Sequence, residues 1–198
     1  MSVFTLLTIV AFNMSSFRAS KVVIALFAID LGATQFVIGL LVALYSLFPM
    51  FMGLRAGKTI DRLGYRVPMM AGSLGFGVGL FVPFVWPSLA ALYLSAAMIG
   101  ASHVFYNVAA QNLVGVLSSP SDRAKNFSDY GLVMAVAGFI GPVMAGFSID
   151  HLGHPTTYLL LSLMPLVPVA MLAMMGPEDK GAGSGTKEEQ AVISANLW

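Results

Sequence analysis

Arg18 and Lys21 stand three residues apart inside a long apolar run, so on a helix they share a face with Met14 and Ala25. Charge inside a bilayer is expensive, and where it occurs it marks a binding site or an ion path. In another apolar run, His103, Tyr106, Asn107, Ala110 and Gln111 recur at i, i+3, i+4, i+7 and i+8, which makes one polar stripe on a helix. Two cations and a row of hydrogen-bonding side chains suit the capture of an anionic or strongly hydrogen-bonding solute. Each feature also has a plainer reading. Lys21 is near the end of its run and can snorkel outward to water, whereas Arg18 is deeper. His103 can be satisfied by a neighbouring helix as well as by a solute. Tyr45, Ser46 and Tyr130 are further polar candidates. No nucleophile with its base, no metal-ligand spacing and no Gly-Lys phosphate loop occurs in the sequence. The chain therefore reads as a non-enzyme that needs no metal and no cofactor.

The elements that must hold these residues follow from composition. The 198 residues are 58% hydrophobic and only 10% charged, with a mean hydropathy of +0.84. Soluble domains carry about 25% charged residues. So much apolar surface cannot be hidden inside a chain of this length, and the bilayer must be its solvent. The net charge of +1 resides in short loops and points to no nucleic acid. The absence of Cys rules out disulfides and thiolate chemistry. No basic stretch precedes the first apolar run, so no cleaved signal peptide is expected.

A spanning helix needs about 20 mostly apolar residues, and six segments qualify. They run from about Val3 to Ala28, Phe36 to Leu54, Val67 to Trp86, Ser88 to Leu117, Tyr130 to Ile149 and Thr156 to Met175. Pro87, Pro120 and Pro155 mark the joints. Residues 1–175 form the expected bundle. Residues 176–198 are polar and Gly-rich and read as a flexible cytoplasmic linker or tail. Arg55, Lys58, Arg62 and Arg66 follow the second segment, Arg123 and Lys125 the fourth, Lys180 and Lys187 the sixth. The other connections hold no Lys or Arg. The positive-inside rule then puts both termini in the cytoplasm.

Between the second and third segments the chain reads GKTIDRLGYR, with the skeleton Gly57-x-x-x-Asp61-Arg62-x-Gly64-x-Arg66. At an offset of 89 residues (57 to 146) it reads GFSIDHLG, from Gly146 to Gly153. Three spans separate the copies, so they fall on opposite membrane faces, the pattern of an inverted three-plus-three repeat. The same offset carries Arg18 onto Asn107, which predicts equal depth for the two around one axis.

The first motif resembles the signature loop between helices 2 and 3 of the major facilitator superfamily of secondary transporters. Gly138-x-x-Gly141-Pro142-x-x-Ala145-Gly146 resembles the glycine-proline motif that exporters of that family share on helix 5, with Ala145 where a second Gly is usual. The resemblance implies an all-α membrane protein with six transmembrane helices as an inverted repeat. It implies alternating access by two such bundles moving a small solute, with export the direction that the helix-5 motif favours. It also implies that helices 1 and 4 line a central cavity, and that Asp61 latches onto the other bundle. One departure counts against drug–proton antiport. Many proton-coupled exporters of the family carry an Arg four residues before a Gly on helix 4, where this chain has Ala96 before Gly100. Nor does any acidic residue fall deep within a predicted span, since Asp30, Asp61, Asp122, Asp129 and Asp150 lie at or near predicted ends.

The family usually has twelve helices. The sequence reading therefore expects a missing C-terminal six-helix half, or a second copy of the chain, in a multi-pass protein of the plasma or inner membrane. The alternative is a truncated or half-size membrane scaffold that does not transport.

Overall fold

The computed structural model describes residues 2–174 and is all helical there. The helices are α1 (Val3–Asp30), α2 (Gln35–Leu63), α3 (Arg66–Val85), α4 (Leu89–Leu117), α5 (Arg123–Leu163) and α6 (Leu166–Met174). Three of them begin on a hydroxyl cap: the side chains of Ser2, Thr34 and Ser88 accept from the amides of Thr5, Val37 and Ala91. Among the described residues, five stretches are long and apolar enough to cross a membrane. The last is the 52-residue run Arg123–Met174. That run is interrupted at Gly153, whose φ of 77° and ψ of 170° are not helical, and again by a turn at residues 164–165.

Two boundaries differ from expectation. The charged motif is not a loop: α2 continues through Gly57, Asp61 and Arg62 to Leu63, and only Gly64 leaves helical geometry, at φ 75° and ψ 179°. Lys and Arg are good helix formers, and no Pro stands between Phe51 and Gly64. Gly57 is thus a helical residue, with open space around it. In the same way α5 begins at Arg123, ahead of the expected Tyr130, and runs through Ser148, Asp150 and His151 to Gly153. The segment 176–198, expected to be a linker, lies outside the described residues.

α1 is the most enclosed helix. It packs chiefly against α5, while α4 packs against α3 and α2. Two apolar clusters stack along the bundle. One joins Phe27, Leu41, Leu80, Leu92 and Tyr158; the other joins Leu6, Ile9, Met69, Leu113 and Leu172. Small residues set the helix distances. A methyl group added at Gly141 of α5 would lie 2.5 Å from the Ser15 carbonyl of α1, and one at Gly100 of α4 would lie 2.8 Å from the Leu44 carbonyl of α2. Gly75 and Gly79 of α3 meet Ser102 and Ile99 of α4 in the same manner.

Buried hydroxyls and amides tie the helices together. Ser16 Oγ donates to the Leu161 carbonyl at 2.8 Å, Asn13 Nδ2 to Ser73 Oγ at 3.1 Å, and the Tyr106 hydroxyl to the Ile9 carbonyl at 3.2 Å. Such bonds contribute about 0.6–2 kcal/mol each in a membrane interior. The outer faces of α2 and α5 are apolar and exposed, as at Met50, Phe51, Leu54, Phe139, Val143 and Phe147. Lipid is the solvent that such faces fit.

Candidate functional site

A cavity of about 370 Å³ lies where the two apolar clusters meet. From α1 it takes Met14, Phe17, Arg18 and Lys21, one helix face at i, i+3, i+4 and i+7. From α2 come Tyr45, Ser46 and Pro49, from α4 His103, Val104 and Asn107, and from α5 Met134. The 89-residue offset relates Met14 to His103, Arg18 to Asn107 and Tyr45 to Met134, and both members of each pair line the cavity.

Phe17 is the centre of the aromatic wall. Its ring lies parallel to the His103 imidazole, with centroids 3.7 Å apart and planes 7° apart, and tilts against Tyr45 at 5.8 Å. The Lys21 ammonium sits 4.9 Å from the Phe17 centroid and 5.6 Å from that of Tyr45. Lys21 thus turns inward onto two aromatic faces, which attract its charge. Outward snorkelling had been the plainer expectation. The Tyr45 hydroxyl donates to Ser20 Oγ at 3.3 Å.

Arg18 is placed differently. Its Nε is buried and has no hydrogen-bond partner among the described residues. Opposite, the Tyr130 hydroxyl donates to Asn107 Oδ1 at 3.1 Å. The amide oxygen thus has one partner, and the NH2 remains to be satisfied. No Asp or Glu lines the cavity. The arrangement is one for binding: donors and positive charge stand among aromatic and thioether surface.

The structure brings Arg18, Lys21, His103 and Asn107 together. Tyr106, on the same stripe, is turned into the core, fully buried and bonded to α1. Gln111, one turn beyond Asn107, is exposed and outside the lining. The motif residues Gly57, Asp61, Arg62, Gly64 and Arg66 are at the far end of α2, away from the cavity lining. Asp61 and Arg62 are exposed, and Arg66 Nη2 donates to the Ala173 carbonyl at 3.2 Å, joining α3 to α6. In the helix-5 motif, Gly141 and Ala145 carry the close packing on the bundle, with Pro142 inside the helix, while Gly138 and Gly146 face open space. Phe17 and Met134 were not legible as site residues, although the offset from Tyr45 leads to Met134. Among the described residues no group of three or more His, Cys, Asp or Glu could hold a metal.

Comparison with known proteins gives the same architecture. The family profile described as Major Facilitator Superfamily matches residues 6–197. The Quinolone resistance protein NorA of Staphylococcus aureus is 26% identical over 170 residues, covering 85% of this chain and 44% of that protein. The Puromycin resistance protein pur8 of Streptomyces alboniger is 28% identical over 139 residues, covering 68% of this chain and 27% of that protein. The chain spans less than half the length of these curated relatives. Among solved structures, a POT family transporter in complex with 5-aminolevulinic acid superposes with a TM-score of 0.78 at 15% identity, over 98% of this chain and 45% of that one. The peptide transporter POT in complex with sulfate gives 0.77 at 17% identity, over 98% and 45%. At such identity these structures speak for the fold alone. With the profile matching nearly its whole length, the chain belongs to the major facilitator superfamily.

Proposed function

We propose that the chain works in a secondary active transporter, in which it supplies six spans as two inverted three-helix units around a solute cavity. The observation that carries this reading is the cavity itself, lined by residue pairs that the 89-residue offset relates. Helix packing supports it. Exchanging α1 with α4 and α2 with α5 turns the α1–α5 contact into the α4–α2 contact, and each is sealed by a glycine at the crossing, Gly141 and Gly100. Length supports it as well. A straight helix of 52 residues would extend about 78 Å, against about 30 Å of hydrocarbon. The break at Gly153 is where the chain would turn back for a sixth crossing.

The basic residues at Lys58, Arg62, Arg66, Arg123 and Lys125 favour a cytoplasmic face for the α2–α3 and α4–α5 connections, and so for both termini. Arg18, Lys21, His103 and Asn107 would contact the solute, and their charge favours an anionic one. A second six-helix bundle would complete the path, and Asp61 at the exposed end of α2 would dock on it. The drug-resistance names of the relatives favour export from the cell across the plasma membrane.

Accumulation of radiolabelled puromycin and of a small-carboxylate panel in cells expressing the gene tests this. Wild type should lower accumulation of at least one compound, and an Arg18→Gln/Asn107→Leu variant inserted at equal level should not. Identical accumulation in expressing and empty cells across the panel would contradict transport.

A further inference from the structure

The charge of the cavity is one-sided: its ionic groups are cations, and its acceptors are neutral ones such as Ser46 and the His103 ring. Arg18 presents donors only, and its buried Nε meets no acceptor among the described residues. Lys21 also only donates, and its charge is met by ring faces in place of a carboxylate. The Asn107 oxygen already accepts one bond, from Tyr130. Asp129, next to Tyr130 in sequence, is not part of the lining, and no other acid is. A buried guanidinium Nε without an acceptor, on a half-buried Arg18, is a costly arrangement, relieved when a ligand brings one.

The remaining wall is of another kind. Met14, Phe17, Tyr45, Pro49 and Met134 are apolar or aromatic, and Phe17 already holds a flat ring, that of His103, in parallel stacking at 3.7 Å. Thioethers adapt to the edge of a ring. The volume of about 370 Å³ is at the small end of ligand pockets, which begin near about 300 Å³.

We propose that this cavity binds an aromatic carboxylate, with Arg18 and the Asn107 amide holding the carboxylate and the Met14–Tyr45–Met134 wall holding the ring. Arg pairs with a planar carboxylate through two parallel hydrogen bonds. Arg can hold a phosphate through the same fork, so a phosphate probe separates the two chemistries. This inference rests on the cavity being the solute site, as proposed above, and it makes no use of solute movement.

The test is binding to the protein in lipid nanodiscs, read by fluorine NMR of 4-fluorobenzoate, its neutral isostere 4-fluorobenzamide, fluoroacetate and 4-fluorophenyl phosphate. The benzoate should bind about tenfold or more tightly than the benzamide, as a charge-assisted pair requires, and more tightly than fluoroacetate and the phosphate. Arg18→Gln should erase the preference over the benzamide, while Arg18→Lys, with a matching thermal melt, should keep part of it. Equal binding of benzoate and benzamide, equal binding of fluoroacetate, tighter phosphate binding, or no binding of any probe would each overturn the inference. Failure of transport with benzoate binding intact would count against the transport reading only.

Discussion

Gly64 and Gly153 adopt the same backbone conformation at positions 89 residues apart: φ 75° and ψ 179° at one, φ 77° and ψ 170° at the other. This region of backbone space is open essentially to Gly alone. Each follows a local sequence that matches at three of four positions, Ile60-Asp61-Arg62-Leu63 and Ile149-Asp150-His151-Leu152, and each ends a long helical run. The repeat read from the sequence is thus also a repeat of backbone geometry.

Gly64→Ala and Gly153→Ala should each destabilise the protein by about 1–3 kcal/mol. Gly57→Ala and Gly138→Ala, helical glycines with open space around them, should be neutral or stabilise by up to about 1 kcal/mol. Reversible unfolding in mixed micelles measures all four. Comparable losses at Gly57 and Gly64 would show that the turn conformation is not what the motif glycine supplies.

Gly141→Ala should force α5 away from α1, since the added carbon would meet Ser15 O at 2.5 Å and Ala19 N at 2.9 Å, both of them backbone atoms that cannot swing aside. A loss of about 1–3 kcal/mol is expected. Gly146→Ala, five residues on in the same motif, should cost almost nothing. The same unfolding assay distinguishes them.

The cage around Lys21 predicts coupling between Lys21 and Phe17. A double-mutant cycle of Lys21→Met and Phe17→Leu should give an interaction of about 0.5–2 kcal/mol. Additive losses would place the ammonium in the lipid headgroup region after all.

Much of this was legible in sequence and some was not. The apolar runs marked the long helices, because charge is so scarce in this chain that every cluster between them stands out. The GKTIDRLG and GFSIDHLG copies pointed to the two helix breaks at Gly64 and Gly153. The helical continuation of α2 to Leu63 was hidden because charge looks like a loop in an apolar chain, although Lys and Arg do not break helices. Phe17 was invisible as a site residue for the opposite reason: in a chain rich in Phe, one more apolar residue has no contrast, and only its stacking on His103 and its place under Lys21 single it out. Tyr106 satisfied the stripe spacing of α4 but points to α1, since a stripe spanning i to i+8 is wide enough for one edge to face the cavity and the other a neighbouring helix.

The most direct test of the inverted repeat is the side of the membrane on which each copy of the motif ends. The chain has no native Cys, so single Cys substitutions at the exposed positions Lys58, Pro87, Lys125 and Asp150 can be labelled with an impermeant maleimide on intact cells. Positions 58 and 125 should be protected until the membrane is opened, and 87 and 150 should label from outside. Labelling of 58 and 150 from the same side would contradict the inverted arrangement and the cavity symmetry built on it.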